Sequence, residues 1–207
     1  MVNSDFNFLR GLRDRFCLFT AICCIILYIP HIFLFCYKIL THKGRAIIND
    51  VKRNSQTLNI QLGVFSGFLY FIHNSAYFRT LFYYRIGPIL SSLIGWYRPG
   101  DKYFVLSKTM NVGGGFLLIH PFSTIINAES IGENFQCKNC TTIASKRNMN
   151  DRPIIGDNVV LGASVTIIGR IHIGNNVVVG AGSVVVKDVP DNTVIAGNPA
   201  RVIHYLI

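Results

Sequence analysis

Large aliphatic residues recur at every sixth position along the second half of the chain. Eleven successive positions of this series are apolar: Ile125, Ile131, Cys137, Ile143, Met149, Ile155, Leu161, Ile167, Ile173, Val179 and Val185. A period of six fits neither an α-helix, which repeats about every 3.6 residues, nor a single strand, which repeats about every two. It fits a chain that turns a corner every six residues, with glycine or asparagine at the corners. Residues 112–196 therefore predict a parallel β-helix of about five coils, each built from three short strands.

The first half of the chain has a helical pattern instead. Apolar residues recur at helical spacing from Phe65 to Ile94, and residues 45–98 are expected to be mostly helical. The segment Gly95–Lys102 contains Pro99 and is expected to link the two parts. We therefore divide the chain into a helical N-terminal region, residues 1–111, and a β-helix domain, residues 112–207.

An uncharged apolar run lies near the start of the chain. From Phe16 to Tyr37 there is no Asp, Glu, Lys or Arg. As a helix this run would be about 33 Å long, which is enough to cross a bilayer, but Pro30 and His31 interrupt its middle. Three arrangements stay open: a spanning helix, a kinked hairpin that enters one leaflet, and a helix buried in an oligomer. We expect contact with the cytoplasmic face of a membrane and no cleaved signal peptide, because the run is long and no small-residue cleavage site follows it.

The distribution of charge separates the same two parts. The chain carries 20 Lys and Arg against 10 Asp and Glu. Residues 1–111 hold 13 of the basic and 4 of the acidic residues, whereas residues 112–207 hold 7 and 6. The basic excess next to an apolar run favours anionic lipid as a partner. Nucleic acid is not expected, because no recognised nucleic-acid-binding module is present.

Four segments of the β-helix domain resemble a known family. They are Gly113–His120, Asp151–Asn158, Gly180–Pro190 and Ala196–Ile203. Together they are similar to the hexapeptide-repeat acyltransferases, and within these to the serine acetyltransferase-like branch; Phe82–Gly87 is similar to the helical lead-in of that branch. The resemblance implies an α+β chain with a left-handed parallel β-helix, transfer of an acetyl group from acetyl-CoA to a hydroxyl or amine, and a homotrimer or dimer of trimers.

His120 occupies the position of the catalytic histidine in the resembling enzymes. Acyl transfer to a hydroxyl needs a base that takes the hydroxyl proton, and histidine is the natural base near neutral pH. We therefore expect His120 to be the general base. His172 is a weaker candidate, since it lies between the inward-pointing Ile171 and Ile173 and should face solvent.

The residues that hold serine in the resembling enzymes are only partly present. The acid that precedes the histidine is Ile119 here, and the aspartate expected about one coil earlier aligns near Val105. In the absence of that aspartate, a backbone carbonyl or Ser107 is left to hold the imidazole of His120 in the required tautomer. The basic pair that binds the serine carboxylate is reduced to Arg152. The acceptor stays open between L-serine and a saccharide hydroxyl of a capsular or other surface polysaccharide precursor, and a non-catalytic binding scaffold is a third alternative.

The resemblance also implies contacts with CoA. Ala163 and Ala181 are 18 residues apart and are expected on the same corner of consecutive coils, where small side chains leave room for the pantetheine arm. Lys187 and Arg201 match basic residues that meet the phosphates of CoA.

Two further segments bear on the site. Residues 144–153 keep the count of six but lose its pattern, and we expect them to form a loop over the active site that contacts the acceptor. Cys137 and Cys140 form a single C-x-x-C pair without a second pair nearby, so no metal is expected and Cys137 is interpreted as a buried thiol.

Overall fold

The computed structural model describes residues 15–17, 19–20, 24–40, 44–58, 61–148 and 150–206. Helices occupy the first half of this part of the chain, as the sequence predicts. Their bounds are α1 Ile25–Ile39, α2 Gly44–Thr57, α3 Val64–Asn74, α4 Ala76–Ile86 and α5 Pro88–Gly95. An aromatic core holds them together, in which Phe35 and Phe68 stack with their ring centroids 4.1 Å apart and Phe82 meets Phe68 edge-on at 5.1 Å.

Local sequence signals set the ends of α4 and α5. The hydroxyl of Ser75 caps α4 by accepting a hydrogen bond from the backbone N of Phe78. Gly87 follows α4 with a φ of 93°, a conformation that favours glycine, and Pro88 then occupies the first turn of α5. The two helices therefore meet at a sharp corner.

Part of the apolar run Phe16–Tyr37, at residues 18 and 21–23, lies outside the described residues. Within the described residues, no single helix is long and apolar enough to cross a membrane. Only α1 and α2 taken together pass that test of length and composition, and a bend of 117° separates them.

The second half of the chain is a left-handed parallel β-helix, as expected. Its strands are β1 Phe104–Leu106, β2 Asn111–Val112, β3 Leu117–Leu118, β4 Thr124–Ile126, β5 Ser130–Ile131, β6 Gln136–Cys137, β7 Thr142–Ala144, β8 Ile154–Ile155, β9 Val160–Leu161, β10 Thr166–Ile168, β11 His172–Ile173, β12 Val178–Val179, β13 Val184–Val185, β14 Thr193–Gly197 and β15 Ala200–Tyr205. The first strand begins at Phe104, inside the region assigned to helices from the sequence. The repeat is hidden there because Leu106, which pairs with the inward Ile126, lies one position off the series counted back in steps of six from Ile125.

Three sheets form the sides of a triangular coil. Sheet A has the order β1-β4-β7-β10-β13, sheet B has β2-β5-β8-β11, and sheet C has β3-β6-β9-β12-β14 with β15 antiparallel at its edge. In the upper coils the partners are 18 residues apart, as in Val160 with Val178 and Ile154 with His172. We name the corners by the sheets they join, as the CA, AB and BC corners.

The sixfold register holds from Ile131 to Val185. The described side chains of this series are at most 2% exposed, and Met149 lies outside the described residues. The prediction for Ile125 was wrong, since this side chain is 50% exposed and Ile126 is buried instead. The AB corner between Ile126 and Ile131 spans one residue fewer than the period of six, so the inward position of β4 moves by one residue and alternation turns Ile125 outward.

Asparagine side chains stabilise the BC corner. Asn134, Asn158, Asn176 and Asn192 adopt left-handed backbone conformations with φ between 55° and 57°. Asn134 Nδ2 donates to Asn158 Oδ1 at 3.0 Å, and the same bond links each asparagine to the next at 3.0 and 2.8 Å. Asparagine serves both purposes there, because it tolerates positive φ and its amide both donates and accepts.

Candidate active site

His120 lies on the CA corner of the first coil, directly after β3. The residue has a φ of 49°, and its carbonyl accepts a hydrogen bond from the backbone N of Phe122 at 2.7 Å. This tight turn leaves the imidazole exposed to solvent. Among the described residues none makes a hydrogen bond to the imidazole, so the side chain is open to a bound molecule.

Helices α2 and α4 clamp the segment of chain that leads to His120. Arg85 and Asp50 form a buried ion pair in which Arg85 Nε donates to Asp50 Oδ2 at 2.9 Å and Nη2 donates to Oδ1 at 3.1 Å. The same guanidinium donates to the carbonyls of Val112 and Gly113, and Asp50 Oδ1 accepts from the backbone N of Phe116 at 2.8 Å. One ion pair thus fixes the backbone on both sides of the glycine run.

Two further side chains of α2 complete this clamp. Arg53 Nη1 donates to the carbonyl of Gly115 at 2.8 Å, and Asn54 Nδ2 donates to the carbonyl of Phe116 at 2.9 Å. Gly114 lies so close to the helix that a Cβ there would be 2.9 Å from the Cα of Ala46. Sequence reasoning missed this clamp. The signals that could have found it are Asp50, an isolated acid in a basic and apolar region, and the similarity at Phe82–Gly87 that contains Arg85.

The immediate surroundings of His120 are aromatic. The rings of Tyr103 and Phe122 lie 5.2 Å apart on the same corner, and each side chain is about half exposed. Ser107, considered above as a partner for the imidazole, lies at the other end of the β1–β4 pair. Its backbone N donates to the carbonyl of Ile126 and its hydroxyl lies 3.2 Å from that of Thr109. Ser107 therefore does not orient His120 within one chain.

A column of small residues continues along the CA corner above His120. Backbone bonds join its layers: Cys140 N donates to Phe122 O, Ser164 N to Asn139 O, and Gly182 N to Ala163 O, at 2.8–2.9 Å. Coils stack at the spacing of hydrogen-bonded strands, so Ala163 lies about 10 Å and Ala181 about 14 Å along the corner from His120. A Cβ at Gly162 would be 2.6 Å from the backbone N of Ala181, whereas one at Gly182 would meet nothing within 4 Å. The corner is tightly stacked and open to solvent at its surface, and it fits an extended molecule laid along the coils.

The basic residues predicted to bind phosphate are separated by the fold. Arg201 on β15 pairs with Ala196 of β14, and Ala196 lies against Gly180 at the CA corner. Its exposed side chain is therefore next to the layer of Ala181. Lys187 is also exposed but follows β13, which places it on the AB corner, at the opposite edge of sheet A.

Arg152 also lies on the AB corner, away from His120 of the same chain. Six extra residues precede it: Thr142 pairs with Thr166, 24 residues away, instead of at the usual 18. These residues form the expected loop, but the loop stands on the AB corner and not over His120 of its own chain. Arg152 Nη1 donates to Thr109 Oγ1 at 2.8 Å, and its buried Nε has no partner among the described residues.

The remaining sequence candidates have no role at this corner. His172 points outward from sheet B and is exposed, as expected. Cys137 points into the core, where burial raises the pKa of its thiol to about 12, and Cys140 is exposed. No group of three or more His, Cys, Asp or Glu that could hold a metal ion occurs within the described residues. A cavity of about 700 Å³ between the helices and the first coil, with Asn49 and Lys108 in its wall, contains none of the predicted site residues.

Comparisons with known sequences find a transferase family model and acetyltransferases that are similar to part of this chain. Residues 152–187 match the family described as bacterial transferase hexapeptide (six repeats). The chain is 40% identical over 98 residues to serine acetyltransferase 4 of Arabidopsis thaliana, a match that covers 46% of this chain and 28% of that protein. It is also 40% identical over 101 residues to the putative colanic acid biosynthesis acetyltransferase WcaB of Escherichia coli K12, covering 48% of this chain and 62% of that protein.

Solved structures of serine acetyltransferases share the fold. The enzyme of Brucella abortus superposes with a TM-score of 0.62 at 22% identity, over 79% of this chain and 69% of that one. The enzyme of Neisseria gonorrhoeae does so with a TM-score of 0.61 at 24% identity, over 81% and 67%. A serine acetyltransferase in complex with CoA has a TM-score of 0.62 at 19% identity, over 82% and 74%. The chain thus spans less than a third of the length of the plant relative and under two thirds of WcaB, while the structural likeness includes the helices as well as the β-helix.

Proposed function

We propose that this protein is a CoA-dependent O-acetyltransferase of the serine acetyltransferase-like type, with His120 as its general base. The observation that carries the proposal is the CA corner, where an exposed imidazole stands at one end of a column of small residues and an exposed arginine, Arg201, stands near the other. The similarity to serine acetyltransferases and to WcaB supports the reaction type.

The chemistry assigned to His120 is a proton transfer. Acetyl-CoA supplies the acetyl group, and the column of Ala163 and Ala181 would hold its pantetheine arm while Arg201 meets a phosphate. The imidazole takes the proton of the acceptor hydroxyl as the hydroxyl oxygen bonds to the carbonyl carbon of the acetyl group. It then returns that proton to the CoA sulfur as the C–S bond breaks. The clamp fixes the backbone of residues 112–116, and it would thereby fix the position of the His120 imidazole relative to Ala163 and Ala181.

We further propose that one active site is shared by two copies of the chain in a homotrimer. His120 and Ala181 lie on the CA corner, while Arg152, Lys187 and the six-residue insertion lie on the AB corner. A neighbouring copy that presents its AB corner to this CA corner would complete the set. The exposed Val105 and Ile125 on sheet A, together with Phe122, would then be covered.

A saccharide hydroxyl is the acceptor that this site favours. Arg152 is already bonded to Thr109, and Ile119 and Val105 replace the acids of the serine-specific enzymes. The exposed rings of Tyr103 and Phe122 beside His120 offer a flat apolar surface to a sugar ring. L-serine remains the competing acceptor, bound through Arg152.

The proposal is tested by CoA release from acetyl-CoA with L-serine and with a panel of sugars and glycan fragments. Release that depends on an acceptor and falls by about 1,000-fold or more in His120→Ala is expected. The matched control is His172→Ala, which should keep full activity. CoA binding without turnover with any acceptor would instead indicate a non-catalytic scaffold.

If Arg152→Ala also abolishes release with the acceptor identified above, mixing it with His120→Ala tests whether the site is shared. If His120 of one copy works with Arg152 of the next, His120→Ala and Arg152→Ala chains refolded together at equal amounts should regain about a quarter of the wild-type activity. A site formed within one chain would regain none, which would reject the shared arrangement while leaving the role of His120 intact.

A further inference from the structure

The helical region exposes an apolar surface that its own core does not need. Along the outer side of α1, Ile26, Ile29, Phe33 and Tyr37 are between 52% and 75% exposed, and Leu40 just after the helix is 87% exposed. The inner side of the same helix is apolar too, and its residues Tyr28, Leu34 and Phe35 are buried against the other helices. A helix that is apolar on both sides is typical of a protein core or a membrane contact.

Helix α5 carries a second row of exposed apolar side chains. Ile89, Leu93 and Trp96 are 77%, 64% and 80% exposed and follow one another at helical spacing. Tyr97 ties this helix to α1, since its hydroxyl donates to the carbonyl of Leu27 at 2.7 Å and lies 3.1 Å from Nδ1 of His31. The end of α5 is therefore held beside α1, and we expect its row of exposed side chains to continue that of α1. We call them the outer face, which consists of Ile26, Ile29, Phe33, Tyr37, Leu40, Ile89, Leu93 and Trp96.

The outer face is larger than a soluble monomer usually tolerates. At roughly 150 Å² for a large apolar side chain, eight side chains exposed by half or more present on the order of 700 Å². A typical monomer exposes apolar patches of only a few hundred Å². We therefore expect an apolar partner, such as lipid or another protein surface, to cover the outer face.

We propose that the outer face docks on an anionic lipid bilayer, with α1 and α5 lying in the interfacial region. Charge complementarity selects lipid as the occupant. Arg45 is exposed at the start of α2, and that start packs against the end of α1, where a Cβ at Gly44 would collide with Ile39. The N-terminal region as a whole holds 13 basic and 4 acidic residues, of which Arg53 and Arg85 bind the β-helix and the others remain for this surface or for solvent and internal contacts. Basic residues beside an apolar face attract anionic headgroups, and Trp96 and Tyr37 have the amphipathic rings that are enriched at membrane interfaces.

The buried residues of α1 limit how far this helix can enter the bilayer. The inner residues of α1 are part of the helical core, and His31 on that side contacts the hydroxyls of Tyr83 and Tyr97. Only the outer half of the helix can enter lipid without unfolding this core. The geometry is therefore that of a helix that lies on the bilayer surface with its outer side in lipid and its inner side in the protein core. The proposal does not depend on the transferase activity.

Flotation of the purified full chain with vesicles tests the proposal. Vesicles of phosphatidylcholine with about 30 mol% phosphatidylglycerol should bind the protein, and pure phosphatidylcholine should bind it several-fold less. Phe33→Ser with Leu93→Ser should lower the partition coefficient by about 10-fold or more. The matched control, Val186→Ser with Ile203→Ser on the β-helix, removes two exposed apolar side chains and should leave binding unchanged.

The single tryptophan allows a second test on the unaltered protein. Trp96 is the only tryptophan in the sequence, so its fluorescence should shift to shorter wavelength with anionic vesicles and be quenched by brominated phosphatidylglycerol. An unshifted and unquenched Trp96 would overturn the proposal even if the double variant failed to fold. Sedimentation velocity without vesicles gives the remaining outcome: a wild-type oligomer that Phe33→Ser/Leu93→Ser dissociates, without vesicle binding, would make the outer face a contact with a second copy and overturn lipid docking.

Discussion

Replacing Arg85 by methionine should weaken the attachment of the helices to the β-helix and lower the stability of the protein. The Arg85 side chain is 6% exposed and that of Asp50 is 1% exposed, so the substitution leaves a carboxylate buried without its counter-ion. It also removes the donors to the carbonyls of Val112 and Gly113. Methionine has a similar volume, which keeps the loss of packing small.

The size of the effect follows from the burial of the pair. Breaking a fully buried ion pair by removing one partner costs about 3–5 kcal/mol. The backbone N–H of Phe116 still donates to Asp50 and offsets a part of this, so we expect the free energy of unfolding to fall by about 3 kcal/mol. Adding Asp50→Asn should restore stability, because the amide removes the buried charge and its Oδ1 can still accept from Phe116.

Urea unfolding followed by far-UV circular dichroism measures the stability, and hydrogen exchange of the peptide that contains Phe116 measures the local effect. Exchange of this amide should become about 100-fold faster in Arg85→Met, as a loss of about 3 kcal/mol implies. Arg170→Met, which changes an exposed arginine, is the control and should shift stability by less than about 0.5 kcal/mol. The reasoning is refuted if Asp50→Asn/Arg85→Met proves less stable than Arg85→Met alone.

Three further predictions follow from the described contacts. Burial first, and then nearby arginines, lower the pKa of His31 to about 4. Between about pH 6.5 and pH 4 the unfolded chain therefore binds a proton that the folded protein does not. The free energy of unfolding should fall by up to about 3 kcal/mol as the pH falls through this window. Urea midpoints at pH 7 and pH 4.5 check this, and a slope that His31→Gln leaves unchanged would assign it to other groups. Gly162→Ala places a Cβ 2.6 Å from the backbone N of Ala181 and should cost about 1–3 kcal/mol in thermal unfolding while weakening acetyl-CoA binding; tight binding in this variant would contradict the column as the CoA site. A thiol reagent at pH 8 should modify the exposed Cys140 and spare Cys137, whose pKa is raised to about 12, and modification of Cys137 in the native protein, seen by peptide mass spectrometry, would speak against its burial.

The regular part of the molecule was predictable from one sequence because each coil repeats the same local rule. The inward positions from Ile131 to Val185, and Asn134, Asn158 and Asn176 of the BC corner, follow directly from a period of six. The rule fails where the length of a corner changes. A corner one residue shorter exchanged Ile125 for Ile126, and six extra residues carried Arg152 onto a long loop. Residue spacing alone does not show which corner absorbs such a change.

The residues of the candidate site likewise fall into those that the sequence could place and those that it could not. Its backbone column at Ala163 and Ala181 could be placed from a separation of 18 residues, and His120 from the motif around it. The sequence could not place Lys187 and Arg152 on the far edge of sheet A, since the corner to which a side chain belongs depends on the exact number of residues in every strand before it. The clamp joins residues 35 positions apart in the chain, and no periodicity relates Asp50 to Arg85.

The sequence by itself determined the architecture: a helical region followed by a solenoid, with its aliphatic column and its glycine and asparagine corners. Short-range periodicity suffices for this, because each residue of a solenoid contacts only the coils above and below it. Only the tertiary structure decided how the two parts join, through a buried ion pair that holds the chain before His120, and which apolar side chains stay outside the core. Those outcomes depend on which surfaces are left over once the helices have packed, and packing brings together residues that lie far apart along the chain.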